Sequence, residues 1–170
     1  MRRFAECIGV LLGLLLAGLM FMLFSSVSYV PAGTVGAPNA GSVIGSILFC
    51  AALPLCFLLL GRSHAIGGYA ALTLVFVHFL LIGALQRFGW TDADGIFSYL
   101  FYITAAPFAP LAESLIETFP IGGKIVYLRM LIPTAVYLFS MAAYLIAHAD
   151  ANRRAIEKHY KALRSQPTEE

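Results

Sequence analysis

The amino-acid sequence predicts an all-α protein, a polytopic bundle of helices that crosses a membrane. Of its 170 residues, 60% are hydrophobic and only 12% are charged, and the mean hydropathy is +0.84. Soluble domains carry about 25% charged residues. Because a hydrocarbon core of about 30 Å takes roughly 20 apolar residues per helix, this length accommodates four or five spans and no separate soluble domain.

Three apolar segments early in the chain each have the length of a membrane span. The first, residues 6–26, follows Arg2 and Arg3. Its apolar run is longer than the roughly 7 to 15 residues usual in a cleavable signal peptide, which favours an uncleaved anchor. The second span covers residues 41–60 and the third covers residues 65–86. The charge-free stretch between the first two contains proline and glycine and predicts a short loop.

The last span is predicted for residues 123–148, where Pro133 removes one backbone hydrogen bond without ending the helix. The transmembrane bundle then occupies residues 1–150, and residues 151–170 form a basic helical tail in the cytoplasm. Cations near a membrane surface attract anionic lipid head groups by about 1 kcal/mol each. The tail residues assigned to such contacts are Arg153, Arg154, Lys158 and Lys161.

The segment from residue 96 to residue 119 decides the number of spans. It is apolar and aromatic but contains two prolines and two glutamates. If it is a helical element at the extracytoplasmic interface, the protein has four spans and both termini are cytoplasmic. Eight lysines and arginines outside the spans then face the cytoplasm and two face the outside. In the better five-span arrangement, six of them face the cytoplasm and four face the outside. The distribution favours four spans, with five spans as the alternative.

Ionisable residues within apolar segments are candidates for function because charge is expensive in lipid. His78 lies near the middle of the third span, where an imidazole could ligate haem, relay a proton or bond to a neighbouring helix. The other histidines fall at or beyond the cytoplasmic edge, which favours the structural role. Arg129 lies two turns into the last span, and Glu113 and Glu117 are its candidate partners, in a structural ion pair or an outer anion site.

Small residues recur at four-residue spacing in the first three spans. Small side chains let helix backbones approach closely, which stabilises helix association in lipid. We assign these positions to packing within the bundle, with packing against a partner subunit as the alternative. The glycines concerned are Gly9, Gly13, Gly41, Gly45 and Gly67.

Several chemistries lack their residues in this sequence. It contains no glycine-rich phosphate loop, no pair of histidines at i and i+4 around a glutamate, and no cysteine pair in an extracytoplasmic loop. A membrane enzyme is therefore disfavoured, and we predict no cofactor and no metal site. The net charge of only +2 argues against a nucleic-acid partner.

The first hypothesis for function is a non-catalytic membrane subunit or scaffold that assembles with or stabilises a larger complex. Its partners would be the lipid bilayer, anionic head groups at the tail, and other membrane subunits or further copies of itself. The alternative is a small homo-oligomeric transporter or channel, with Arg129 and the two glutamates at its outer mouth. A weaker alternative is a redox subunit that binds haem through His78. A bacterial cytoplasmic (inner) membrane is the expected location.

Overall fold

The computed structural model describes residues 1–25, 28–30, 33–35, 38–88, 95–118 and 125–164. Most of these residues are helical. A 3₁₀ turn, Ala106–Phe108, joins the fourth and fifth helices. The elements are α1 (Arg2–Phe24), β1 (Ser28–Val30), β2 (Gly33–Val35), α2 (Ala40–Arg62), α3 (Ile66–Arg87), α4 (Ile96–Ala105), α5 (Ala109–Thr118) and α6 (Ile125–Arg164).

Five helical segments of the described chain are long and apolar enough to cross a membrane. Four of them are α1, α2, α3 and α6, and the fifth runs from Ile96 to Thr118 through α4 and α5. The chain is therefore a helical protein with the composition of a membrane bundle. Length and composition alone do not decide between four and five spans.

Local sequence explains how α2 begins and how it turns into α3. Asn39 precedes α2, and its Oδ1 accepts a hydrogen bond from the backbone N–H of Ser42 at 2.7 Å, as an N-cap residue does. After α2, His64 adopts a left-handed conformation with φ of 56°, which is uncommon outside glycine. This single residue lets α3 begin at Ile66. Between α1 and α2, strands β1 and β2 form a short antiparallel hairpin.

Close backbone contacts at one end of the bundle fix the directions of the long helices. At Gly67, the first turn of α3 lies so close to α1 that an added Cβ would collide with the carbonyl oxygen of Arg3. At Gly61, the last turn of α2 lies equally close to the carbonyl oxygen of Tyr144 in α6. This end, where α1 and α3 begin and α2 ends, is called the basal end. The opposite end is called the distal end.

At the distal end, α3 finishes where α6 begins. A Cβ on Gly83, in the last turns of α3, would collide with the side chain of Met130, in the second turn of α6. Helices α1 and α3 therefore run parallel from the basal to the distal end, and α2 and α6 run parallel in the other direction. The chain between α3 and α6 leaves the distal end and returns to it.

That intervening chain, Ile96–Thr118, is called the inserted segment, and it packs among the long helices. Helix α4 contacts α1 and α3, whereas α5 contacts α2 and α6. The Oγ of Ser46 in α2 donates to the carbonyl oxygen of Pro107 at 2.6 Å. In the most apolar 18-residue stretch of the inserted segment, 61% of the residues are buried. The corresponding share is 11% to 33% in the other four apolar segments. The expectation that it lies at the membrane interface is not confirmed.

An aromatic cluster fills the distal half where the inserted segment enters. Phe108 is fully buried, and its ring lies 5.5 Å from the rings of both Phe49 and Tyr137. Phe79 stacks on Phe101 at 5.0 Å. Each such pair contributes about 0.5 to 1.5 kcal/mol beyond the burial of its surface. The cluster therefore joins α2, α3 and α6 to the inserted segment.

Helix α6 continues well beyond the basal end. Its 40 residues pass Pro133 without a break, and His148 already lies level with the turn between α2 and α3. Residues 149–164, called the basal extension, add about 24 Å of helix. Exposed i,i+4 ion pairs join Arg153 to Glu157 and Arg154 to Asp150 along it. Residues 165–170 of the predicted tail lie outside the described residues.

Two glycines offer a test of this packing. We expect Gly67→Ala to lower the free energy of unfolding by about 1 to 3 kcal/mol, because its methyl group overlaps the α1 backbone. Gly9→Ala is the matched control, since a Cβ there meets nothing within 4 Å. Alanine at that position should raise the stability by up to about 1 kcal/mol through helix propensity. Denaturant unfolding in detergent measures both, and equal effects would contradict the packing described.

Candidate functional site

A partly buried ion pair connects the inserted segment to α6. The Nε of Arg129 donates to Oε1 of Glu113 at 2.6 Å, and its Nη2 donates to Oε2 at 3.2 Å. The side chain of Glu113 is 11% exposed and that of Arg129 is 24% exposed. A guanidinium that binds both carboxylate oxygens fixes direction as well as distance. The pair therefore holds α5 in register against the start of α6.

The position of α5 explains why Glu113, rather than Glu117, is the partner of Arg129. Helix α5 buries its first turn, where Ala109 and Pro110 pack in the interior, and Ala112 and Glu113 follow on the buried side. Glu117 lies one turn later and is exposed. The sequence named both carboxylates as candidates, and the packing of the inserted segment selects the first.

His78 lies on α3 beside the inserted segment. Its Nε2 is buried and has no hydrogen-bond partner among the described residues. The ring of Phe97 is 6.2 Å away. Within the described part of the chain, no group of three or more histidine, cysteine, aspartate or glutamate side chains is arranged to hold a metal ion.

Two other histidines meet at the basal end, although 84 positions separate them in the sequence. The Nδ1 atoms of His64 and His148 lie 3.1 Å apart, and their rings cross at 79°. In a hydrogen bond between these atoms one Nδ1 donates and the other accepts, and the tautomers of the two rings decide which. The ring of His148 also stacks on Tyr144 at 5.7 Å. No local pattern could have indicated this pair, because it depends on the alignment of α2 with α6.

The glycines expected to mediate packing within the bundle have different environments. Gly67 lies in the close contact with α1, and a Cβ on Gly45 would touch the ring of Phe21 at 3.5 Å. A Cβ on Gly41 would approach only Asn39, in the cap of its own helix, at 3.5 Å.

Gly9 and Gly13 were expected to pack within the bundle, and the described structure does not place them in such contacts. An added Cβ at either would meet nothing of the described chain within 4 Å, and both residues are exposed. They lie on the outward face of α1. Four glycines that were not singled out from sequence do lie at helix contacts, namely Gly18, Gly61, Gly68 and Gly83.

The cations of the basal extension fall into two groups. Arg154 and Lys158 line a cavity of about 330 Å³ together with Arg62, at the end of α2. Arg153 and Lys161 are exposed on the same extension but do not line the cavity. The geometry thus separates residues that the sequence had treated as one set.

Comparison of the chain with protein-family models, with curated proteins and with solved structures finds no match. No residue therefore takes a role from a relative. Function must be argued from the contacts of the chain itself.

The ion pair yields a prediction for stability. We expect Glu113→Gln to lower the free energy of unfolding by about 3 kcal/mol, because the guanidinium of Arg129 stays largely buried without its carboxylate. Glu117→Gln, at an exposed position, is the matched control and should change it by less than about 0.5 kcal/mol. Unfolding in detergent measures both. The double variant Glu113→Gln with Arg129→Met should recover much of the loss, and equal losses for the two single variants would argue against the pair.

Proposed function

We propose that the protein is a non-catalytic integral membrane subunit that assembles with or stabilises a larger membrane complex. The observation that carries this proposal is that the partly buried charges of Glu113 and Arg129 form an ion pair within the bundle. They bind each other across two elements of the bundle and so contribute to its packing. Two of the surfaces that the described bundle leaves open are the outward face of α1 and the basal extension.

In this proposal the protein crosses the membrane four times, with both termini in the cytoplasm. The support is the contact between the end of α3 and the start of α6 at Gly83 and Met130. A chain that starts and finishes at the same end makes no net crossing, so the inserted segment enters the bundle and leaves on the same side. Arg2, Arg3, Arg62 and the extension all lie at the basal end, which the excess of cations assigns to the cytoplasm. A bacterial cytoplasmic membrane remains the proposed location.

The outward face of α1 is the proposed contact with a membrane partner. Gly9 and Gly13 lie one turn apart and leave the backbone uncovered by side chains. In lipid, such spacing lets a second helix approach closely and gain van der Waals contact. The same pair contributes nothing to packing between the described helices of one chain, which favours a role between chains.

The basal extension is the proposed contact with a partner outside the membrane. Ile156 and Tyr160 remain 57% and 64% exposed along it, among side chains that are mostly charged. Apolar side chains at i and i+4 lie on one face of a helix. The extension therefore offers an amphipathic surface beyond the plane of the membrane.

The alternatives find less support. A homo-oligomeric transporter needs a polar path, and aromatic rings such as Phe108 and Tyr137 occupy the distal half of the described bundle. The interpretation as a haem subunit has one observation in its favour, the buried Nε2 of His78 with no partner among the described residues. Two other histidines of the described chain, His64 and His148, lie at the basal end and contact each other instead.

The topology can be tested directly. We expect reporters fused to the two termini to give the same compartment signal, because α1 begins at the basal end and α6 continues beyond that same end. One reporter should be active only in the cytoplasm and the other only outside it. Both termini should activate the cytoplasmic reporter, and opposite signals would refute the four-span arrangement.

The subunit role can be tested by purification from native membranes in mild detergent. We expect the tagged chain to retain a partner polypeptide in fixed ratio, and Gly9→Leu with Gly13→Leu to release it, because leucines cover the open backbone. Ala51→Leu with Ala52→Leu is the matched control on the exposed face of α2. Loss of the partner in both double variants, or a chain that purifies alone as wild type, would count against the proposal.

A further inference from the structure

The parallel helices α2 and α6 enclose an apolar groove along their seam. The groove has a volume of about 440 Å³. On α2 it is lined by Cys50, Pro54 and Leu58, which lie one turn apart, and on α6 its lining includes Ala143 and Ile146. Two alanines, Ala142 and Ala143, are the small side chains in its α6 lining.

The basic cavity lies next to this groove along both helices, on the side of the basal end. Arg62 follows Leu58 by four residues on α2, and Asp150 follows Ile146 by four on α6. Residues four apart lie on the same face of a helix. The nearest lining residues of the apolar groove and the basic cavity are thus one helical turn apart on both helices, and the lining changes from apolar to charged where α2 ends.

The charges of the cavity suit an anion with phosphate chemistry. Arg62, Arg154 and Lys158 carry three positive charges, and Asp150 carries one negative charge. An Nη2 of Arg154 lies 2.7 Å from Asp150, in a pair that is 68% and 44% exposed and so weakly held. Guanidinium and ammonium groups are the usual protein ligands of phosphate oxygens. The volume of about 330 Å³ falls at the lower end of the range for small-molecule sites.

We propose that the seam between α2 and α6 binds one anionic glycerophospholipid, with its phosphate in the basic cavity and an acyl chain in the groove. The inference rests on the proposed membrane placement, with the basal end at the cytoplasmic surface, and not on the subunit role. From Cys50 to Arg62 the helix rises about 18 Å. One leaflet supplies half of a hydrocarbon core of about 30 Å. The distance from Cys50 to Arg62 is slightly more than that half.

The groove distinguishes a lipid from a soluble ligand. A free phosphate would use only the cations, and an acidic segment of a partner protein would gain nothing from an apolar groove that faces lipid. Only a molecule with an anionic head and an apolar tail uses both parts. The carboxylate of Asp150 repels the bound phosphate and should weaken the binding of the lipid.

The experiment uses the purified full-length chain in neutral detergent. Native mass spectrometry measures retention of dioleoyl phosphatidylglycerol and, as the zwitterionic probe with the same acyl chains, dioleoyl phosphatidylcholine. We expect selective retention of the anionic lipid. Arg62→Gln with Arg154→Gln should weaken it by about fivefold for each cation removed. Asp150→Asn should strengthen retention, a gain that a misfolded chain cannot produce.

Two pairs of variants separate the site from a general effect of charge or bulk. Arg153→Gln with Lys161→Gln removes two cations of the same extension outside the cavity and should leave retention unchanged. Ala143→Phe fills the groove and should release the lipid, whereas Ala52→Phe, at an exposed position outside the groove, should not. Circular dichroism and gel filtration check that each variant is folded.

Several results would overturn the proposal. Equal retention of the two lipids would contradict a site for an anionic lipid and would indicate that the cavity binds an acidic segment of a protein. Displacement by inorganic phosphate together with no effect of Ala143→Phe would indicate a site for a free anion. Equal weakening by both pairs of charge variants would indicate unspecific attraction. Since the terminal reporters test membrane placement independently, failure of lipid binding and failure of the topology are distinguishable.

Discussion

The architecture depends on close backbone contact at two glycines of the basal end. At Gly61 and Gly67 the helix backbones approach so closely that no side chain fits between them. These contacts join α2 to α6 and α1 to α3 as parallel pairs. In lipid, where association gains little from hydrophobic burial, such contact supplies the van der Waals energy of packing. The directions of all four long helices follow from it.

The inserted segment occupies the distal half and unites the two helix pairs. Helix α4 packs against α1 and α3, and α5 packs against α2 and α6. Its irregular backbone at the 3₁₀ turn is acceptable because it is buried in protein and the carbonyl oxygen of Pro107 accepts a hydrogen bond from Ser46. The ion pair between Glu113 and Arg129 then fixes α5. Two charges that would be expensive in lipid become a source of specificity.

The two ends of the bundle therefore differ in chemistry. The distal half is filled by aromatic rings around Phe108, whereas the basal end collects the cations and the pair of His64 and His148. A bound lipid at the α2–α6 seam would extend the bundle surface into the bilayer beside the basal extension. On the extension, the proposed partner contact uses Ile156 and Tyr160, which do not line the cavity formed in part by Arg154 and Lys158, so lipid and partner need not compete.

Composition and periodicity were sufficient to predict the helices themselves, including the continuity of α6 past Pro133, because burial in lipid requires long apolar helices whose backbone is satisfied internally. They also named Arg129 and Glu113 together, since few charges occur in the apolar segments. The environment of Gly9 could not be predicted, because spacing identifies a small-residue face but not the helix that covers it.

Only the tertiary structure decided that residues 96–118 enter the bundle, that His64 meets His148, and that Arg154 and Lys158 line a cavity while Arg153 and Lys161 do not. These outcomes depend on the parallel alignment of α2 with α6 and of α1 with α3. That alignment is set by contacts between residues far apart in the chain, which local sequence patterns do not encode.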